Sequence, residues 1–161
     1  MPSIADHLDR HLAQEQVRLL RHASSIAAEH GAKLYLVGGT VRDVLLGGQP
    51  VDLDLTAQGG PPELADALAS GLGGEVTSRS RFGTANLSVG GLDLDLAVAR
   101  TESYARPGAL PDVSPGTIEQ DLARREFSIN AMAAGLSEEG WGRLLDPHDG
   151  MADLRAGIIR V

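Results

Sequence analysis

The same tetrapeptide occurs twice in this chain, as Asp52-Leu53-Asp54-Leu55 and as Asp93-Leu94-Asp95-Leu96. In an extended strand, successive side chains point to opposite faces. Each tetrapeptide would therefore bury two leucines on one side of a sheet and present two carboxylates together on the other. Mg²⁺ prefers oxygen ligands and usually takes a few carboxylates together with substrate phosphates. The doubled motif therefore predicts a site for a divalent metal ion, with a merely solvated strand face as the alternative.

Nucleotidyl transfer is a reaction that needs carboxylates in this arrangement. It uses one metal ion to lower the pKa of the attacking hydroxyl and another to hold the triphosphate and the departing pyrophosphate. Asp52 and Asp54, separated by one residue, could bridge both ions, and Asp95 or Asp93 could complete the set from a neighbouring strand. For an isolated Asp-x-Asp pair we would favour the solvated face, so the prediction depends on the motif being doubled.

Two glycines precede the first acidic tetrapeptide, where a strand is predicted to turn into a helix. Gly38 and Gly39 follow the apolar run 33–37, and Arg42 and Asp43 come within the next turn. Glycine lets the backbone approach a ligand closely, and the start of a helix offers free N–H groups to a phosphate. Arg42 could clamp phosphate oxygens, although a surface pair with Asp43 is the alternative. The segment therefore predicts a phosphate-binding turn.

The segment 121–133 carries a third group of polar residues. Arg124 and Arg125 are adjacent, and Asn130 stands between apolar neighbours. The arginines could compensate substrate charge, whereas a salt-bridged helix surface explains them nearly as well. A buried amide needs hydrogen-bond partners, either from the backbone or from a ligand. This segment is therefore a second candidate for contacts with a charged substrate.

The predicted elements form a mixed α/β pattern around one sheet. Apolar spacing and capping residues predict helices over 4–29, 40–46, 62–72, 117–126 and 152–155. Strands are predicted at 33–37, 51–56, 76–77, 85–89, 92–99, 129–135, 142–145 and 158–161.

Several turns and helix starts have specific signals. Thr40 and Thr117 are the expected helix caps, and Gln120 occupies the capping-box position after Thr117. Gly90-Gly91 predicts a tight hairpin between two strands. The segment 104–116 contains three prolines and two glycines and is predicted to be an irregular loop.

Composition limits the protein class. With 161 residues, 42% of them hydrophobic, the chain fits one globular domain. It has no cysteine, which excludes disulfides and thiolate metal sites. No apolar run approaches the ~20 residues that span a bilayer, and the first residues lack the layout of a signal peptide. A cytoplasmic protein without membrane contact is expected.

The charge argues against an extensive nucleic-acid surface. The formal net charge is −8, and Lys33 is the only lysine. Binding of a polyanion is driven largely by Lys and Arg side chains that replace its counterions. If the substrate is RNA, this chain is therefore expected to contact only the end of the molecule.

Taken in order, these motifs resemble the head domain of the class II CCA-adding enzyme and bacterial poly(A) polymerase family, within the polymerase-β-like nucleotidyltransferases. The resemblance covers about residues 33–161. It is carried by the segments 36–47, 52–54, 81–84, 99–102, 121–133 and 146–150. We expect an N-terminal helix over 1–31, packed on a catalytic head over 32–161.

The resemblance implies a fold and an activity. The expected fold is a mixed, mostly antiparallel sheet with helices packed to one side. The expected activity is template-independent transfer of CMP or AMP from CTP or ATP to the 3′ end of RNA, above all tRNA, with Mg²⁺ as cofactor. Poly(A) synthesis within the same family and a nucleotide-binding module without catalysis are the alternatives. An interaction domain with merely solvated acidic strands is the weakest one.

The resemblance also implies roles for individual residues. It favours Asp95 over Asp93, because Asp95 stands five residues before Arg100. The implied catalytic and metal-binding residues are Asp52, Asp54 and Asp95. The implied nucleotide-binding residues are Gly38, Gly39, Arg42, Arg124, Arg125 and Asn130.

Two features depart from the family pattern. Glu126 stands where the family has Asp after the two arginines, which bears on ribose recognition rather than on catalysis. The neck domain, which supplies the protein template for base choice, and the helical parts that hold tRNA are expected to lie outside this chain.

Overall fold

A central sheet of seven strands runs through the computed structural model, which describes residues 2–161. The described residues form nine strands in all, which are β1 (Ala32–Val37), β2 (Asp52–Gly59), β3 (Glu75–Arg79), β4 (Ala85–Val89), β5 (Leu92–Val98), β6 (Arg100–Ser103), β7 (Asp112–Pro115), β8 (Ala133–Gly135) and β9 (Leu144–Leu145). The helices are α1 (Ala5–His11), α2 (Gln14–Glu29), α3 (Gly38–Leu45), α4 (Leu64–Leu72), α5 (Ile118–Ala123) and α6 (Gly150–Ala156), with a 3₁₀ turn at Ser128–Asn130.

The sheet is mixed and mostly antiparallel, as predicted. Its strand order is β3-β4-β5-β2-β1-β8-β9, while β6 and β7 form a separate two-stranded ribbon. Only the β2–β5 pair in this order is parallel. A parallel pair needs a crossover connection, which here consists of α4, β3 and β4. The predicted hairpin at Gly90-Gly91 joins β4 to β5.

The parallel pair aligns the two acidic tetrapeptides residue for residue. Asp52 lies opposite Asp93, and Asp54 lies opposite Asp95. Leu53 is 0% exposed and Leu94 is 1% exposed. Both leucines point into the main core, so the carboxylates share the opposite face of the sheet.

Helices cover both faces of the sheet, which corrects the expectation that they pack to one side. The main core joins alternate residues of β1 and β2 to α1, α2, α3 and α4. On the other face, Ile118 and Leu122 of α5 pack against Val37 and Ala133. The short α5 thus stands on the carboxylate side, where it can contribute side chains to a site.

The single helix predicted over 4–29 is two helices. Leu12 and Ala13 have extended backbones between α1 and α2. The side chain of Gln16 accepts a hydrogen bond from the Ala13 N–H, and its amide group donates to the Pro50 carbonyl. Because Gln16 is buried and anchored to a distant loop, the break depends on a tertiary contact that apolar spacing cannot reveal.

Other predicted elements also differ in the structure, and the predicted strand 129–135 is a 3₁₀ turn followed by the short β8. The segment 104–116 contains β7, which pairs with β6 rather than remaining irregular. The predicted strand 158–161 is not a strand. With the residues that the structure describes, its backbone makes only two hydrogen bonds, one from the Ile158 N–H to the Asp153 carbonyl and one from the Ser128 N–H to the Arg160 carbonyl. The helix after Thr117 has the expected capping box but ends at Ala123. Among the described residues, no helix combines the length and the apolar character needed to cross a membrane.

Candidate active site

A cleft of about 370 Å³ lies on the carboxylate face, between the β2–β5 pair and the start of α3. Seven of the residues singled out from the sequence line it: Gly38, Gly39, Arg42, Asp54, Asp95, Arg125 and Asn130. They come from β2, β5, α3 and the segment after α5, which are far apart in sequence. The fold therefore brings most of the predicted residues into one place.

Asp54 and Asp95 are the carboxylates of this cleft. Burial raises the pKa of the Asp54 carboxyl, and the neighbouring charge of Asp95 raises it further. Two carboxylates side by side repel each other, so the pair favours a bound cation. Within residues 2–161, no group of three or more His, Cys, Asp and Glu side chains is close enough to hold a metal ion by itself.

Asp52 in β2 and Asp93 in β5 each lie two residues before the aspartate that lines the cleft. They share the face of Asp54 and Asp95, but both are exposed and neither lines the cleft. Asp95 rather than Asp93 is therefore the β5 carboxylate beside the turn of α3. The assignment of Asp52 as a metal ligand remains a prediction.

Thr40 connects α3 to the acidic strand, a role that sequence reasoning missed. Its side chain is 3% exposed, and its hydroxyl accepts a hydrogen bond from the Asp54 N–H at 3.0 Å. The same hydroxyl donates to the Asp52 carbonyl at 3.4 Å. The predicted cap at Thr40 is wrong, because α3 already begins at Gly38 and has no side-chain cap. Its hydroxyl instead positions the backbone between the two aspartates.

Gly38 and Gly39 let the backbone pass beneath the two arginines of the cleft. Gly38 has φ +62°, a conformation that glycine adopts most easily. A Cβ atom there would lie 3.1 Å from Arg125 Nη1. At Gly39 it would lie 3.3 Å from Arg42 Nη2 and 3.9 Å from Asp54 Oδ2. The turn therefore leaves a space between cationic and anionic groups that any side chain would narrow.

Asn130 bridges the two arginines. Arg42 Nη1 donates to its side-chain oxygen at 2.8 Å, while Arg125 Nη1 faces its carbonyl oxygen at 3.4 Å. Arg42 also pairs with Asp43 at 3.0 Å, the contact considered from the sequence. The partly buried amide thus has a side-chain partner, and the two guanidinium groups are held on one side of the cleft.

The adjacent arginines have different surroundings. Arg125 lines the cleft and donates to Asp121 Oδ2 at 3.0 and 3.3 Å. Arg124 donates to Asp121 Oδ1 at 2.9 Å and lies 3.4 Å from Glu102 Oε1, outside the residues that line the cleft. The predicted role of Arg124 in nucleotide binding stays untested, as does that of the exposed Glu126 in ribose recognition.

The cleft has polar groups beyond the predicted ones. Thr84, Asn86 and Thr56 line it as well. Thr56 is 1% exposed, and its hydroxyl has no hydrogen-bond partner among the described residues. A buried hydroxyl without a partner is costly, so the base of the cleft favours a polar ligand or water. The alternation of β2 already places Thr56 on the face of Asp54, which was the signal that could have identified it.

The sequence of this chain matches a known protein family and is similar to individual proteins. The family described as the poly A polymerase head domain matches residues 34–160. The chain is 42% identical over 160 residues to the A-adding tRNA nucleotidyltransferase of Halalkalibacterium halodurans, which covers 99% of this chain and 38% of that protein. It is 40% identical over 148 residues to the CC-adding tRNA nucleotidyltransferase of Deinococcus radiodurans, covering 91% and 40%.

Solved structures show the same fold. The complex of a CCA-adding enzyme with CTP superimposes with a TM-score of 0.84 at 35% identity, over 99% of this chain and 37% of that one. The chain therefore spans about two fifths of the length of these relatives.

Proposed function

We propose that this chain, which belongs to the poly A polymerase head-domain family, is the catalytic head of an RNA nucleotidyltransferase. In the proposed reaction, a 3′-hydroxyl of RNA attacks the α-phosphate of ATP or CTP, and pyrophosphate leaves. The relatives' names point to tRNA as the RNA. The observation that carries the proposal is the cleft in which Asp54 and Asp95 face the glycine turn and two arginines.

Asp54 and Asp95, with Asp52 on the same face, are proposed to hold Mg²⁺. The residues fit this ion, because it commonly takes one or two carboxylates and completes its shell with water and substrate phosphates. The pKa of Asp54, raised by burial and by Asp95, supports a cation at the pair. Bound divalent ions would lower the pKa of the attacking hydroxyl and offset the charge of the departing pyrophosphate.

The triphosphate is proposed to lie along Gly38 and Gly39. The backbone at these positions carries no side chain, so phosphate oxygens can approach it closely. Arg42 and Arg125 supply planar guanidinium donors on the same side. In a chain of net charge −8, these two arginines are the cationic side chains that line the cleft, and we propose that they contact the triphosphate.

Base choice is proposed to lie elsewhere. The charged residues of the cleft address phosphate and metal, which ATP and CTP share. We therefore expect this chain to bind the two nucleotides with similar affinity. The related proteins, named for addition of A, of CC or of CCA, would then differ through other parts of their chains.

A calorimetric titration with ATP and CTP, with and without Mg²⁺, tests the proposal. The unaltered chain should bind both nucleotides only when Mg²⁺ is present. The variant Asp52→Asn/Asp54→Asn should lose at least about 100-fold in affinity, since even outer-shell partners of a metal are worth 10–100-fold. The variant Glu138→Gln/Glu139→Gln removes the same charge at an exposed turn and serves as the control.

Two results would contradict the proposal. One is nucleotide binding that does not depend on Mg²⁺ or on the two aspartates. The other is the absence of any binding by the unaltered chain. Mg²⁺-dependent binding without transfer to an RNA 3′ end, with the remaining domains of a relative supplied, would favour the non-catalytic module.

A further inference from the structure

Asp121 is a buried carboxylate on α5 that does not line the cleft. Asp121 is only 1% exposed to solvent. An unpaired charge in such a place would be strongly destabilising. The four donors that surround it therefore indicate what Asp121 does in the fold.

The two oxygens of Asp121 have separate partners. Oδ2 accepts from Arg125, at 3.0 Å from Nη2 and 3.3 Å from Nε. Oδ1 accepts from Arg124 Nη2 at 2.9 Å and from the Arg100 backbone N–H at 3.2 Å. Glu102 adds support by pairing with both Arg100 and Arg124. One side of the carboxylate thus holds the cleft arginine, and the other is fixed to the β6–β7 ribbon.

This arrangement fixes the orientation of the Arg125 guanidinium. Nε and Nη2 are bound to Asp121, so Nη1 is left on the far side, over Gly38 and the Asn130 carbonyl. An arginine side chain loses considerable rotamer freedom when it is held in one geometry. Since Asp121 imposes that geometry in the fold itself, the ordering does not have to accompany ligand binding.

We propose that Asp121 is a positioning residue that orients Arg125 toward the triphosphate, a role that rests on the proposed function. Asp121 does not touch the nucleotide. Arg124, at the other oxygen, supports the same carboxylate rather than extending into the cleft.

The sign of a mutational effect separates this role from ordinary electrostatics. Asp121→Asn removes one negative charge near a site for a polyanion, which by charge alone should tighten ATP binding. Loss of orientation should instead weaken Mg²⁺-dependent ATP binding by about tenfold, the scale on which ordering one long side chain affects affinity. Glu119→Gln removes the same charge from an exposed position on α5 and should stay within about twofold.

Calorimetry on the 161-residue chain, with a double-mutant cycle, completes the test. In an Arg125→Ala background, Asp121→Asn should cause no further loss of ATP affinity, because its effect passes through Arg125. If Asp121→Asn prevents folding, Arg125→Lys tests the contribution of the planar fork between Arg125 and Asp121. A lysine keeps the charge but cannot bond Asp121 through a planar fork, so about the same tenfold loss is expected.

Each contrary result has a separate meaning. Unchanged or tighter ATP binding by Asp121→Asn, or wild-type affinity in Arg125→Lys, would overturn the positioning role alone. A further loss in the Arg125→Ala background would overturn it as well, by showing a general structural effect. If the unaltered chain fails to bind Mg²⁺-ATP, the proposed function falls and this role falls with it.

Discussion

The two Asp-Leu-Asp-Leu segments have the same sequence but different surroundings. Both bury their leucines in one core, and they lie opposite each other in register. The β2 copy is flanked by β1 and β5 and is fastened to α3 by Thr40. The β5 copy lies between β2 and β4 and has no such helix contact among the bonds of the described residues. The period-2 pattern of a strand therefore determines which face a carboxylate occupies, while its neighbours determine its environment.

Asp54 and Asp95 show this difference most directly. Asp54 is partly buried and its pKa is raised by that burial, whereas Asp95 is exposed. We therefore expect the two copies to be equivalent in the stability they provide and unequal in the binding they support.

The buried faces should be equivalent. Leu53→Ala and Leu94→Ala should each lower the free energy of unfolding by about 3 kcal/mol, as expected for a fully buried leucine truncated in a packed core. Urea denaturation of the two variants measures this. A loss of less than about 1 kcal/mol in either variant would show that its leucine is not packed in the shared core as described.

The carboxylates next to the cleft should differ in degree. Asp54→Asn should weaken Mg²⁺-dependent ATP binding by about 30-fold, since Asp54 is the more buried member of the pair. Asp95→Asn should weaken it by about tenfold. Calorimetric titration of both variants decides the order, and a larger loss for Asp95→Asn would reverse our interpretation of the two copies.

Asp93 should behave differently from Asp95, although both stand on the same strand face. Asp93→Asn should change the ATP affinity by no more than about twofold, because Asp95, not Asp93, is the β5 carboxylate that lines the cleft. It is the matched control for Asp95→Asn, with the same charge change two residues away. A loss at Asp93 as large as that at Asp95 would show that both β5 carboxylates contribute to the metal site.

Thr40 should matter only for the β2 copy. Thr40→Val removes the hydroxyl that accepts the Asp54 N–H and should lower the free energy of unfolding by about 1 kcal/mol, the cost of leaving a buried donor unpaired. Thr40→Ser keeps the hydroxyl and is the control. Thermal denaturation of both variants tests whether this contact stabilises the fold. A loss in Thr40→Ser with none in Thr40→Val, which keeps a methyl group at that position, would mean that the methyl group is responsible instead.

Local patterns were sufficient to predict much of the fold. The alternation of Asp and Leu predicted the buried and exposed faces of β2 and β5. Gly90-Gly91 predicted the hairpin that joins β4 to β5. Thr117 with Gln120 predicted the start of α5. These features depend on residues close in sequence, so the sequence contains their physical cause.

Features that depend on distant contacts were not predictable in the same way. The break between α1 and α2 relies on Gln16 reaching Pro50, and β7 exists because β6 pairs with it. Arg124 and Arg125 are neighbours in sequence, but they bind different oxygens of Asp121, and of the two only Arg125 lines the cleft. The functions proposed for them came from a family resemblance, which names residues without giving their geometry.

The parallel pairing of β2 with β5 also determines when the cleft can exist during folding. β1 with β2, and β4 with β5, join strands that are close in sequence, whereas Asp54 and Asp95 are about forty residues apart and such non-local pairings form slowly. The carboxylate pair therefore exists only once β2 and β5 have paired. A partly folded chain has no carboxylate pair with which to capture a metal ion. Any ligand of that pair binds only the finished fold, and by mass action it draws the chain toward it.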